Sequence, residues 1–179
     1  PCEKACRRAQ IDQAVSICQI KKHTAVESLK NNQFFISKKI NKTEKIAIIG
    51  SGPEGLSSAF YLLQAGYECI LFDKNEKPGG ALRYEKLNHF LPENVLNIEI
   101  EVIERLGGIF KNEVSIDKVY FENEILNKFD AVILAVGDFD KSEFANFGFN
   151  KSKVGIAINK ETLQTENPKI FACGSVVRS

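Results

Sequence analysis

The sequence lacks the features that mark a membrane, nucleic-acid-binding or disulfide-rich secreted protein. No window approaches the roughly 18–20 apolar residues that a membrane helix needs, so we expect no membrane span. The 24 Lys and Arg residues nearly balance the 23 Asp and Glu residues, and the net charge of +1 gives no reason to expect a nucleic acid partner. The five cysteines are odd in number and lack framework spacing, which argues against a secreted disulfide scaffold and favours the cytoplasm.

Methionine is absent and histidine is scarce. The chain begins with Pro1 and has no Met, so we expect the sequence to begin inside a longer polypeptide. His23 and His89 are the only histidines, and neither belongs to a zinc-type spacing or a Ser-His-Asp set. Hydrolysis is therefore not indicated.

What is present is typical of a globular domain with a basic appendage. Hydrophobic residues make up 44% of the chain and charged residues 26%, close to the globular average. Residues 1–45 hold ten Lys or Arg and four Asp or Glu, whereas the remainder is acidic. The basic segment, residues 1–45, is interpreted in two alternative ways, as a docking surface for a partner or as a solvated charged face.

Hydrophobic periodicity predicts two regions of different character. Residues 11–30 have the pattern of one amphipathic helix, and a polar linker follows. From residue 45 onward strands and helices alternate, which predicts an α/β fold with a parallel sheet. The predicted strands are 45–50, 68–73, 109–110, 130–136, 154–158 and 169–173, the predicted helices are 53–65 and 93–106, and 74–92 is a long loop. We therefore divide the chain into a helical segment, 1–43, and a Rossmann-like domain, 44–179.

A glycine fingerprint lies between the first predicted strand and the helix that follows it. The motif GxGxxG is formed by Gly50, Ser51, Gly52, Pro53, Glu54 and Gly55. In this context its glycines permit a tight turn, close approach of the backbone to a pyrophosphate, and close packing of helix and strand. Amide groups at the helix start favour the negative charge of the phosphates. The motif predicts a dinucleotide site, against the alternative of a glycine turn that binds nothing.

Asp73 ends the second predicted strand, eighteen residues after Gly55. A carboxylate there accepts hydrogen bonds from both hydroxyls of an adenosine ribose and repels a 2′-phosphate. NADP is therefore not expected at this site, and NAD and FAD stay open. The segment Pro78–Tyr84 (PGGALRY) favours FAD, because its two glycines let the backbone approach a long ligand and Arg83 offers a cation to a phosphate. The alternative for this segment is a plain turn.

Several motifs together resemble one family. PCEKAC, GSGPEGLSSAFYLLQAGYECILFD, PGGALRY, HFLP and ERLGG are similar to the FAD domain of the glutamate synthase small-subunit family. Dihydropyrimidine dehydrogenase and related iron–sulfur flavoproteins share that module. The resemblance runs over most of residues 1–137 and again over 154–178, and it implies a Rossmann-like FAD-binding domain of a flavin-dependent oxidoreductase.

The resemblance implies a role for each matching position around FAD. The fingerprint would hold the pyrophosphate, Asp73 the ribose and the backbone of Val114 the adenine. The remaining positions are Gly80, Leu82 and Arg83 on the diphosphate and flavin side, Ala135 and Gly137 where the chain crosses near the cofactor again, and Gly174 with Ser175 at the ribityl chain.

Two cysteines near the start match the family's iron–sulfur motif. Cys2 and Cys6 correspond to a CExxC pair that helps to bind [4Fe–4S] clusters together with cysteines outside this chain. The resemblance implies that electrons pass between the flavin and an iron–sulfur or other redox partner. Two thiolates cannot hold a four-cysteine cluster alone, so a pair that is empty or oxidised is the alternative.

The sequence also departs from the family pattern. Only sixteen residues, 138–153, separate Gly137 from the next predicted strand, and no second GxGxxG occurs, so we expect no NAD(P)H site within this chain. Ser175 replaces the Asp of the family, and residues 85–87 and Phe90 replace its Gly, Pro and Arg. These changes leave two further hypotheses, a degenerate flavin domain that serves assembly and an NAD(H)-binding Rossmann domain.

Overall fold

The computed structural model describes residues 2–30, 42–85, 91–138, 147–150, 152 and 155–177. The chain divides into two units, Pro1–Phe35 and Ile36–Ser179. Expectations that concern residues 31–41, 86–90, 139–146 and 153–154, including His89 and Phe90, fall outside the described residues.

Within its described residues, 2–30, the first unit contains a short 3-10 turn, Arg7–Gln10, and one helix, α1, Ile17–Lys30. We predicted a helix from residue 11, but it begins six residues later. The Asp12 carboxylate accepts hydrogen bonds from Gln13 N and from the Arg8 guanidinium, which holds the chain in a turn. Such local bonds from Asp compete with helical backbone pairing. Ile11 consequently remains 88% exposed.

The second unit is built on a five-stranded parallel sheet in the order β3-β2-β1-β4-β5. Its strands are β1 Lys45–Ile49, β2 Glu68–Phe72, β3 Ile109–Lys111, β4 Ala131–Leu134 and β5 Ile170–Ala172. Its helices are α2 Pro53–Gln64, α3 Ala81–Tyr84, α4 Glu93–Arg105 and α5 Lys118–Tyr120, the last continued by a π-helical stretch, Phe121–Leu126. A 3-10 turn, Gly174–Val177, follows β5. The predicted α/β fold with a parallel sheet is confirmed.

Both faces of the sheet are covered, which explains why its strands are apolar throughout. Strand register places Ala47, Phe72 and Val132 on one face, where they join a buried cluster with Phe121 and Ile125. The alternate residues of these strands face the other side of the sheet, and they include Ile48 and Leu71, both fully buried. Helix α2 packs against β1, β2 and α4, and this packing fixes the position of its N-terminus at the edge of the sheet.

Two predicted elements differ from the structure. The predicted loop 74–92 contains the short helix α3, which begins directly after Gly80. In the predicted strand 154–158, the described residues 155–158 form no strand. Instead the Ile156 amide donates to the carbonyl of Val176, which ties this segment to the turn after β5. In the part of the chain that the structure describes, no helix has the length and apolar character needed to span a bilayer.

Candidate dinucleotide-binding site

The glycine fingerprint forms a turn in which two glycines are required by close contacts within the protein. Gly50 has a positive φ of 100°, and a Cβ built on it would lie 2.3 Å from the carbonyl oxygen of Ala135. A Cβ on Gly55 would lie 1.9 Å from the carbonyl oxygen of Gly50. A side chain at Gly50 would therefore overlap the backbone that follows β4, and a side chain at Gly55 would push α2 away from β1. These glycines bring the start of α2 directly to the end of the central strand.

Gly52 differs, because no contact among the described residues requires a glycine there. Its φ of −73° suits any residue, and in this part of the chain a Cβ would meet only Glu54 Oε2 at 3.8 Å and Gly80 Cα at 3.9 Å. Gly52 is the N-cap of α2 and Pro53 is its first residue. The amide groups of Glu54 and Gly55 consequently lack intrahelical acceptors, and they are suited to an anion. The expected contact of these amides with a diphosphate remains a prediction.

A second glycine turn lies against the first. The amide of Gly79 donates to the carbonyl of Ser51 at 2.9 Å. A Cβ on Gly80 would lie 2.7 Å from Gly52 Cα, and φ of Gly80 is 50°. Leu82 N donates back to the carbonyl of Gly79, which starts α3. The two predicted cofactor segments, the fingerprint and PGGALRY, are thus adjacent in space.

Arg83 braces this second turn. Its guanidinium donates to the carbonyl of Pro78 at 2.8 Å, to Glu93 Oε1 at 2.6 Å and to Asn97 Oδ1 at 2.5 Å. Its side chain is only 9% exposed. The structure therefore assigns Arg83 to holding the PGG turn on α4, and its expected contact with a phosphate remains a prediction.

Asp73 is buried at the end of β2 and bonded through both of its oxygens. Oδ2 accepts from Ser51 N at 2.7 Å and from Ser51 Oγ at 2.6 Å. Oδ1 accepts from the backbone and side-chain nitrogens of Asn75, each at 2.9 Å. These four bonds use the roughly four lone-pair positions of a carboxylate. A ribose hydroxyl would have to replace one of the side-chain donors, Ser51 Oγ or Asn75 Nδ2, and ribose binding by Asp73 remains a prediction.

The other predicted cofactor residues line the same edge of the sheet. The amide of Val114 donates to the carbonyl of Asp73 at 2.9 Å, and the expected contact of the Val114 backbone with adenine remains a prediction. Ala135 is buried, and its amide donates to the carbonyl of Ile49. Gly137 has a φ of 71°, and apart from its chain neighbours none of the described residues lies within 4 Å of a Cβ built on it.

A third turn, after β5, faces the start of α2. Gly174 has a φ of 81°, and a Cβ on it would lie 2.6 Å from Glu54 Cγ and from Glu54 Oε1. Ser175, which follows it, is exposed. Sequence reasoning placed Glu54 within the fingerprint but did not foresee that its carboxylate reaches this turn. The sequence did indicate that Glu54 is unusual, because it is an acidic residue at a helix start that is expected to receive an anion.

Cys173 precedes this turn and is partly buried. Burial raises the pKa of the Cys173 thiol, and the negative charge of Glu54 raises it further, while a hydrogen bond with Ser58 lowers it. Cys69, by contrast, is fully buried in β2. The raised pKa of Cys173 disfavours its thiolate form.

The N-terminal cysteines lie in a different setting, within the first unit. Cys6 caps the 3-10 turn Arg7–Gln10, and its sulfur accepts the amide of Val15 at 3.5 Å. Hydrogen bonds from the backbone of Val15, Arg8 and Ala9 lower the pKa of the Cys6 thiol. Cys2 and Cys18 are exposed. Among the described residues no group of three or more metal-ligating side chains occurs, so the pair can supply only part of a ligand set.

A parallel sheet with a glycine turn at the end of its central strand, a helix N-terminus and two further glycine turns defines a dinucleotide-binding α/β domain. Comparison with known proteins gives the particular family. The chain belongs to the pyridine nucleotide-disulphide oxidoreductase family, whose model matches residues 9–179. The family is thus one of oxidoreductases.

Curated relatives confirm the resemblance stated from the motifs. The chain is 32% identical to the glutamate synthase [NADPH] small chain of Bacillus subtilis, over 93% of this chain and 34% of that protein. It is 33% identical to the NADPH-Fe(3+) oxidoreductase subunit beta of Geobacter sulfurreducens, over 76% of this chain and 21% of that protein. It is 29% identical to the NAD-dependent dihydropyrimidine dehydrogenase subunit PreT of Escherichia coli K12, over 76% of this chain and 33% of that protein. The chain spans about a third or less of these relatives.

One solved structure can be compared with the chain by superposition. FprA from Mycobacterium tuberculosis superposes with a TM-score of 0.48 at 22% identity, over 68% of this chain and 26% of that one.

Proposed function

We propose that the second unit binds FAD and passes electrons between the flavin and an iron–sulfur partner. The observation that carries the proposal is Gly52. Contacts among the described residues require Gly50 and Gly55, but they leave space for a side chain at Gly52, beside the first amide groups of α2. A glycine at a position where these contacts do not require one is suited to close approach by a ligand.

The residues at this edge of the sheet suit the successive parts of FAD. The amides of Glu54 and Gly55 would hold the diphosphate, and the carbonyl of Val114 would contact adenine. Asp73 would accept a ribose hydroxyl after giving up the Ser51 Oγ or Asn75 Nδ2 bond. The backbone at Gly174 would lie along the ribityl chain, with Ser175 beside it. The bound flavin supplies the redox chemistry, and the chain's own residues bind and orient it.

The partner in electron transfer is inferred from the first unit and from the relatives. Amide hydrogen bonds to the Cys6 sulfur favour its thiolate, which is the form that ligates iron. Cys2 is exposed four residues away and supplies a second thiolate. We propose that cysteines outside this chain complete a [4Fe–4S] cluster and that the donor or acceptor is a redox subunit or domain.

Titration with FAD tests the binding part of this proposal. The purified chain is expected to be yellow or to quench the fluorescence of added FAD on binding. The Gly52→Ala variant separates ligand binding from folding, since apart from its chain neighbours no atom of the described residues lies closer than 3.8 Å to its Cβ. We expect it to melt at the wild-type temperature yet bind FAD at least about tenfold more weakly, because the methyl group occupies the ligand's side of the turn.

Two results would contradict the proposal. The first is a folded, colourless chain that does not respond to FAD. The second is tighter binding of NADH than of FAD, which would instead indicate an NAD(H) domain.

A further inference from the structure

We propose that the Glu54 carboxylate opposes binding of the cofactor diphosphate, so that this residue sets a low affinity for FAD. The inference rests on the proposed FAD site. It concerns the contact between the first turn of α2 and the turn after β5.

The position of the Glu54 side chain is defined by two glycines. A Cβ on Gly174 would lie 2.6 Å from Glu54 Cγ and Oε1 and 2.7 Å from Cδ, so the carboxyl group lies directly on the Gly174 backbone. Its other oxygen, Oε2, lies 3.8 Å from the Cβ position of Gly52. The carboxylate is therefore located between the turn proposed for the diphosphate and the turn proposed for the ribityl chain.

The charge of this carboxylate is not offset by a neighbouring cation in the described part of the chain, where no ion pair includes Glu54. Arg83, the cation expected at the phosphates, is paired with Glu93 at 2.6 Å instead. The raised pKa of Cys173, to which Glu54 contributes, agrees with a negative charge directed at the β5 turn. An arriving diphosphate would thus meet a like charge.

The N-terminus of α2 attracts anions, and the Glu54 carboxylate and the diphosphate would compete for it. The amides and dipole of α2 stabilise either the Glu54 carboxylate or a bound diphosphate. Like charges a few ångströms apart in a partly buried setting repel strongly. FAD can bind only after the half-buried Glu54 side chain turns outward, and the cost of that movement lowers the affinity.

Calorimetric titration of the full chain with FAD and with ADP tests the inference. Glu54→Gln keeps the shape of the side chain and removes its charge, and we expect about tenfold tighter binding of both ligands. Glu68→Gln is the matched control, because it removes one negative charge at the start of β2, beside Lys45. At that opposite edge of the sheet the same change is expected to leave both affinities within about twofold.

Thermal melting accompanies the titration. Glu54→Gln loses a favourable charge at a helix start, so we expect its melting temperature not to rise. Tighter binding of FAD by this variant could then not be attributed to a more stable fold. If this variant fails to fold, Glu54→Ala replaces it with the same expected gain.

The outcomes separate this inference from the proposed function. Wild-type protein that binds FAD, together with a Glu54→Gln variant that binds it equally or more weakly, would overturn the role of Glu54 and leave the FAD site standing. An equal gain in Glu68→Gln would also overturn it, as a general charge effect. Failure of every variant to bind FAD or ADP would overturn both.

Discussion

At the scale of single residues, the hydrogen bonds between Asp73 and Ser51 join the two segments that form the site. Ser51 belongs to the fingerprint turn and Asp73 to the end of β2, twenty-two positions apart, and both are buried. Ser51 donates two bonds to one oxygen of the carboxylate, at 2.7 and 2.6 Å. The pair therefore fixes the glycine turn before any ligand arrives.

Replacing Ser51 by Ala tests this role. The change removes the hydroxyl donor and leaves one lone pair of a buried carboxylate unsatisfied, and bonds to charged groups contribute about 1.5–3 kcal/mol. We expect the free energy of unfolding, measured in urea, to fall by about that amount. Ser57→Ala, at an exposed position of α2, should change it by less than about 0.5 kcal/mol. Equal stability of the two variants would show that the Asp73–Ser51 bond contributes nothing.

At the scale of elements, the distance between α2 and β1 is set by the absence of a side chain at Gly55. A Cβ there would overlap the Gly50 carbonyl at 1.9 Å and also approach Ile48 Cγ2 at 3.4 Å. The rest of α2 is anchored by buried side chains, Ala59 and Leu63, with no exposed area. The helix therefore cannot move outward without losing its own packing.

This geometry predicts opposite results for two neighbouring glycines. Gly55→Ala is expected to cost about 3 kcal/mol or more of folding stability, through overpacking of a backbone contact. Gly52→Ala should cost little stability and weaken FAD binding, as stated above. Urea unfolding of both variants measures the first effect. A Gly55→Ala variant as stable as wild type would show that α2 accommodates the methyl group.

At the scale of the whole molecule, the chain consists of two units with different chemistry. The first, Pro1–Phe35, contains the cysteine pair and α1. The second has its own sheet and buried core. Its first described residue, Lys42, donates its amide to the carbonyl of Gly66 at 2.8 Å and places Nζ 3.9 Å from the centre of the Tyr67 ring. These contacts predict that the second unit folds from residue 42 onward.

Deleting residues 1–41 tests the division. We expect residues 42–179 to unfold in a single cooperative transition within about 3 °C of the full chain and to bind FAD with unchanged affinity, because a domain with its own core folds independently. Iron reconstitution with the missing ligands supplied by a partner should then fail, since Cys2 and Cys6 are gone. An insoluble or non-cooperative fragment would show that the first unit is needed for folding.

Much of the fold follows from local patterns in the sequence. Buried strands such as KIAIIG, proline at the start of α2 and glycine after its end identified the parallel sheet and its helices. The start of α1 was misplaced because the Asp12 side chain bonds to Arg8 and Gln13, a competition that periodicity does not register. Helix α3 was missed because it is four residues long and depends on the preceding glycine turn.

The sequence by itself determined the fold, the family and the edge of the sheet at which a dinucleotide is expected, because these depend on periodicity and on glycine spacing within a short stretch of chain. Only the tertiary structure decided how the charged side chains there are used. Asp73 is bonded to Ser51 and Asn75, Arg83 is paired with Glu93, and the Glu54 carboxylate lies on Gly174. The physical reason is distance along the chain, since Glu54 and Gly174 are separated by 120 positions and meet only when β1 and β5 join one sheet.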